Sequence, residues 1–199
     1  EIGRLFRNEG ISHKHNPEFT TIEAYLAYSD MEGMMDLVED SLSTVTHDVL
    51  GTYEIEFKDH KVNMKKPWKR IHMVDAIKEQ TGINFFEDYS LEQATKLAKE
   101  HEIEVPKHFK FGHIVEAFFD KYVEETIIQP TMIYGHPTDI SPLAKMDEKD
   151  PRFTERFELF IVGAEYAKAF SELNDPIVQR NRFEAQLKEK ELVNDEAAE

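Results

Sequence analysis

Residues 18–29 read EFTTIEAYLAYS, and their reading decides the fold. β-Branched and aromatic residues dominate, so the stretch is expected as a β-strand, with side chains alternating between two faces. Thr20, Ile22, Ala24, Leu26 and Tyr28 then make the core face, and Phe19, Thr21, Glu23, Tyr25 and Ala27 lie opposite. The short run from Ile2 to Glu9 is expected as a second strand. Between them, residues 10–17 carry Gly10, Asn16 and Pro17, the punctuation of a long hairpin loop. On the first strand Leu5, Arg7 and Glu9 share a face, so pairing sets Arg7 and Glu9 beside Phe19, Glu23 and Tyr25. That is a polar floor with a cation, carboxylates and a stacking ring. Spacing alone also fits, and favours, an ordinary solvent-facing sheet face with cross-strand ion pairs.

A helix is expected next. Ser29-Asp30-Met31-Glu32 has capping-box spacing, Met31, Met34, Met35, Leu37, Val38 and Leu42 form an apolar stripe, and Gly51 stands where a glycine ends a helix. Tyr53 to Phe57 alternates as a strand. Residues from about Met73 to Ile127 suggest helices near 74–80, 91–101 and 113–126, divided by Gly82, Pro106 and Gly112. Strand character returns at 131–134 and again from Arg156 to Glu172, and a last amphipathic helix starts near Asp175-Pro176. The order gives an α+β chain: a core at 1–72 and 128–199, with a helical insertion at 73–127.

Glu158, Glu165 and Glu172 form a second acidic group, and Lys168, Phe170 and Glu172 share a strand face. The first two are an odd number of residues apart, so they converge only if the chain turns or bulges near Val162-Gly163-Ala164. Converging carboxylates in a chain without cysteine suit a hard cation such as Mg²⁺, with nucleotide phosphate completing its shell. Solvated glutamates on an acidic surface fit the spacing equally and are favoured by it. His108 and His113 are poorly placed for a shared metal and are expected at or near the surface. The last helix mixes Arg, Lys and Glu as a solvated face does.

The 199 residues carry 24 Lys and Arg against 40 Asp and Glu, a net charge of −16 that opposes phosphate binding over the whole surface. Apolar residues make up 40%, and 14 Phe with 7 Tyr can fill a core, which excludes general disorder. No apolar run approaches a membrane span, and the first residues, Glu1 to Arg4, do not read as a signal peptide. The absence of cysteine removes disulfides, thiolate metal sites and Cys nucleophiles, and points to the cytoplasm. Phosphate-loop, GxSxG and HExxH motifs are missing.

Phe6-Arg7-Asn8-Glu9-Gly10 followed by His15-Asn16-Pro17-Glu18-Phe19-Thr20 resembles motif 2 of class II aminoacyl-tRNA synthetases, in the form specific for lysine. Ile128-Gln129-Pro130-Thr131, Ser141-Pro142-Leu143-Ala144, Arg156-Phe157-Glu158 and Phe170-Ser171-Glu172-Leu173-Asn174-Asp175 are similar to the same family in the same order. The resemblance covers essentially the whole chain. It implies an antiparallel sheet flanked by helices that joins lysine and ATP as lysyl-adenylate, then passes lysine to the acceptor end of tRNA(Lys). It also implies a homodimeric parent. By matching position, Arg7 is the catalytic cation on the α-phosphate, and Glu9, His15, Asn16 and Phe19 line the ATP site. Glu23, Tyr25, Phe170 and Glu172 would receive lysine, while Glu158 and Glu165 would hold Mg²⁺ on the phosphates. His13 and Lys14 are candidates for touching the acceptor end.

The chain departs from the family pattern in three ways. The glycine-rich motif 3, with its γ-phosphate arginine, is expected after Glu199, and motif 1 and an anticodon-binding barrel before Glu1. Within the site, Ala164 stands where the family usually has Arg or Lys, and Lys168 where it has Asn. A lysine ammonium there repels the substrate's own or takes its place against Glu172. Two further readings follow: a non-catalytic piece whose helical insertion is an interaction surface, and a paralogue that transfers lysine to something other than tRNA. Strand edges left without partners are expected to promote self-association.

Overall fold

The structure, a computed structural model, describes residues 1–8, 11 and 16–196, with side chains described as far as 188. Strands β1 (Ile2–Phe6) and β2 (Glu18–Ile22) form an antiparallel hairpin in which Leu5 faces Phe19 and Gly3 faces Thr21. Helix α1 (Met31–Leu50) follows. Its cap is Asp30, whose carboxylate accepts from the Gly33 amide at 2.9 Å, and Gly51 closes it in the left-handed region. A second hairpin pairs β3 (Glu54–Phe57) with β4 (His60–Asn63).

The central sheet has the order β5 (Lys69–His72), β6 (Thr131–Tyr134), β7 (Arg156–Ile161), β8 (Ala164–Phe170). It is mixed: β5 runs parallel to β6, because the chain between them is the helical segment that crosses one face, and the other pairs are antiparallel. That segment holds α2 (Met73–Thr81), α3 (Leu91–Glu100) and α4 (Phe111–Tyr122), with a 3₁₀ turn at Glu124–Thr126. Helix α5 spans Pro176–Glu196.

The sheet separates two apolar clusters. Ile71, Ile133 and Phe160 point to one side and pack with Val74, Ile77, Phe85, Ile114, Phe118 and Phe119 of the helical segment. Met132, Phe157, Leu159 and Ile161 point to the other, against Met35 of α1, Val62 and Trp68. Alternation along β7 therefore sends even-numbered residues toward α4 and odd-numbered ones toward α1.

Four expectations need correction. Residues 18–29 are not one strand: β2 ends at Ile22, and the expected core face stays in solvent, with Ile22 74% and Leu26 54% exposed. Among the described residues no apolar side chain before Met35 is buried. Among the described residues β2 pairs with β1 alone and no apolar layer covers the two, so alternation found no surface to bury against. Likewise β1 stops at Phe6, before Arg7 and Glu9. The third expected helix stops at Tyr122, four residues early, where the 3₁₀ turn takes over. Strands β4 and β5 carry too many charges for their alternation to have been read.

Candidate functional site

Expected site residues fall in two places. On the first hairpin, the Arg7 amide donates to the Pro17 carbonyl at 2.8 Å, extending the pairing past β1. The Arg7 guanidinium lies over the Phe19 ring, 5.6 Å from its centroid. Asn16 is exposed beside the loop. Glu23 is held at the far end, where its amide donates to the Glu1 carbonyl and its carbonyl accepts from the terminal amine. Tyr25 lies beyond the strand and is 83% exposed. Glu9, His13, Lys14 and His15 lie outside the described residues.

The second place is the α4-facing side of β7 and β8. Val162 and Gly163 make the turn between these strands, both in the left-handed region (φ 48° and 63°). Two turn residues set Phe160 opposite Glu165 and bring Glu165 onto the face of Glu158. That is how an odd separation becomes one face. The ladder then shifts at Leu159–Phe160, with Tyr166 as the extra residue, so that Lys168 faces Glu158 and Phe170 faces Arg156. Arg156, Glu158, Glu165, Lys168 and Phe170 thus share one side.

Glu158 is the most constrained of them. Its carboxylate receives the Arg156 guanidinium, and His136 Nε2 lies 3.3 Å away without hydrogen-bond geometry. Burial would raise the Glu158 pKa, but His136 and Arg156 outweigh it and hold it down at about 2. His136 itself is 1% exposed, and burial pushes its pKa down. Glu165, although exposed, moves the other way: partial desolvation by its neighbours and then the charge of Glu158 push it up, against the pull of Lys168 and Arg156. Helix α4 adds two carboxyls. Burial and then Asp120 push Glu116 up to about 7, and burial, then Glu124 and Glu158, push Asp120 up to about 6.

Beyond β8, Glu172 bridges to Ala144, with the Lys145 amide donating to Ser171 and the Leu173 amide donating to Leu143. These bonds place the exposed Glu172 just past Phe170.

His136, Glu116 and Asp120 were not singled out by reading the sequence, and Arg156 entered only within a family motif, with no role. Arg156 was within reach, since it sits two residues before Glu158 on one strand. The helical carboxyls were not, because nothing local says which face of α4 meets β7. The His108 and His113 rings lie 6.3 Å apart, and the His113 ring accepts from the Lys110 amide at the start of α4. Among the described residues no group of three or more His, Asp and Glu could by itself hold a metal.

The sequence profile of the tRNA synthetases of class II (D, K and N) matches residues 1–199. The chain belongs to this family. Within it, the chain is 59% identical over 197 residues to the lysine–tRNA ligase of Bacillus subtilis, and 59% identical to that of Listeria monocytogenes. It is 60% identical over 198 residues to the lysine–tRNA ligase of Lactococcus lactis. Each match covers 99% of this chain and 40% of the relative, so the chain spans less than half the length of these synthetases. The sheet between helical layers is thus a class II synthetase fold. No described helix is long and apolar enough to cross a membrane.

Proposed function

We propose that this chain is catalytic-domain sequence of a lysine–tRNA ligase, which activates lysine with ATP and transfers it to tRNA(Lys). One observation carries the reading: Glu158, Glu165 and Phe170 share one sheet face, Glu172 follows directly, and the chain is 59% identical to a lysine–tRNA ligase over 99% of its length.

In this reading the hairpin serves the nucleotide and the sheet serves the amino acid. Phe19 offers a ring for adenine to stack on, and by their place in the family motif Glu9, His15 and Asn16 would line the nucleotide. Arg7, already over that ring, reaches the α-phosphate and the lysine carboxylate together. The carboxylate oxygen attacks the α-phosphorus, the bond to the leaving pyrophosphate breaks, and lysyl-adenylate results without a covalent enzyme intermediate. Arg7 offsets the charge spread over the phosphate oxygens and holds the reactants close. Glu172 and Glu23 supply negative charge, and Tyr25 a phenol, for the lysine ammonium.

Glu158 and Glu165 fit a hard cation as a two-carboxylate edge: Glu158 stays ionised, and its charge raises Glu165, a repulsion that a cation relieves. Bound there with ATP, Mg²⁺ would neutralise phosphate charge. The segment 73–127 is a helical insertion in the catalytic core, the parent is a homodimer, and the acceptor end of tRNA(Lys) approaches over the hairpin loop.

Lys168 sets a condition on this function. It is exposed, faces Glu158 in register and stabilises the charge of Glu165, so its ammonium competes with a cationic substrate. The full-length protein is expected to exchange pyrophosphate with ATP when lysine is supplied, but not with aspartate or asparagine. Lys168→Asn is expected to lower the KM for lysine by about tenfold. Absence of lysine-dependent exchange in both proteins would overturn the reading and favour a non-catalytic role.

A further inference from the structure

Helix α5 carries an arginine, Arg182, that has no ion pair with an acid among the described residues. Arg182 Nη1 donates to the carbonyls of Ser141 (3.3 Å), Pro142 (3.1 Å) and Ala144 (2.7 Å), all in one turn. Its Nη2 is buried without a hydrogen-bond partner, and burial alone pulls its pKa down. A guanidinium desolvated in this way is costly to keep, and carbonyl dipoles offset that cost less well than a carboxylate does.

What the arrangement achieves is a fixed turn. Ser141 and Ala144 are buried, and Arg156 Nη1 also donates to the Ile140 carbonyl (3.2 Å) and the Ser141 hydroxyl (2.9 Å). The turn is therefore held by an arginine of β7 and an arginine of α5. It also carries the two backbone bonds that bracket Glu172: the Lys145 amide to Ser171 O at 2.9 Å and the Leu173 amide to Leu143 O at 3.0 Å. Glu172 itself is exposed and lies past the end of β8, so this bracket is its main backbone restraint.

We infer that Arg182 is a positioning residue: from α5 it pins the Ser141–Ala144 turn, which in turn sets Glu172 at the amino-acid end of the site. The role of Glu172 rests on the function proposed above; the pinning does not. Asp175 starts α5 by accepting from the Ile177 and Val178 amides, so the helix reaches Arg182 only two turns later. Local chain connectivity does not by itself fix where Glu172 sits.

The test uses the full-length protein with Arg182→Gln and, as the milder change, Arg182→Lys. In Arg182→Gln the amides of Lys145 and Leu173 are expected to exchange with solvent about tenfold faster, while the β6–β7 ladder keeps its protection. The KM for lysine in ATP–pyrophosphate exchange is expected to rise about tenfold with that for ATP unchanged, and Arg182→Lys to fall between. Unchanged exchange at Lys145 and Leu173 would overturn the inference. So would faster exchange throughout the sheet with equal losses for ATP and lysine, which marks a general support of the fold. If the unmodified protein shows no lysine-dependent exchange, the functional reading fails, and the amide measurement still decides whether Arg182 holds the turn.

Discussion

Glu116 shows how the site's acidity is stored. Its carboxyl lies on the face of α4 that meets β7, where burial first, and then the charges of Asp120 and Glu158, push its pKa up to about 7 from an ordinary 4.5. The folded chain thus binds a proton at Glu116 more tightly than the unfolded chain does. Between about pH 4.5 and 7 the folded state carries more protons, so stability falls as pH rises through that window. Asp120 shifts in the same direction but, being exposed, adds less to the slope. Glu116→Gln is expected to flatten the slope and to stabilise the protein at pH 8 by on the order of 1 kcal/mol, read from denaturant midpoints at pH 5 and pH 8. An identical pH slope in the variant would contradict the account. Neither carboxyl could have been picked out from sequence, since each reads as a solvated helical acid until α4 is placed against β7.

At the scale of elements, charge as well as apolar packing holds α1 to the sheet. Arg70 of β5 donates to Glu32, Asp36 and Glu39, at 3.0, 2.6 and 2.6 Å, three acids spaced along one side of α1. Glu39 is 5% exposed and also accepts from the Trp68 amide, so it cannot turn to water if Arg70 is lost. Arg70→Ala is expected to destabilise the chain by about 3 kcal/mol, because it strands a buried carboxylate. Asp36→Ala, exposed and redundant, is expected to cost less than about 1 kcal/mol. Thermal unfolding of the pair checks the ranking. Apolar periodicity made α1, α2 and α3 legible, and the α1 cap at Asp30 falls within the Ser29–Glu32 stretch where the pattern places it. The β7–β8 turn was legible too, through Gly163. The short charged strands β4 and β5 were not, since their identity comes from pairing partners far along the chain.

Across the whole molecule, the sheet divides labour between its faces. The α1 side is apolar throughout β7, with Phe157, Leu159 and Ile161 buried. The α4 side starts in apolar core at Phe160 and ends in the charged pair Glu158 and Arg156, with Phe170 of β8 beside Arg156. One strand therefore serves both core and site, and a two-residue turn with one bulge suffices to collect residues 156, 158, 165, 168 and 170. Periodicity suggested both the acidic floor and the hairpin floor but favoured solvent-facing surfaces for each, because alternation reports faces and says nothing of what they meet. Similarity of several ordered motifs is what turns these faces into a proposed site. It could not supply the burial of Ile22 and Leu26, which the described structure leaves exposed.

The central claim is that the hairpin and the sheet face act together on lysine and ATP. It is tested most directly by calorimetric titration of the full-length protein with a non-hydrolysable lysyl-adenylate analogue, with Arg7→Ala and Glu172→Ala as companions. The unmodified protein is expected to bind at about micromolar or tighter, with each variant weakened about 100-fold. Binding unchanged in either variant, or an aspartyl-adenylate analogue bound as tightly as the lysyl one, would contradict it.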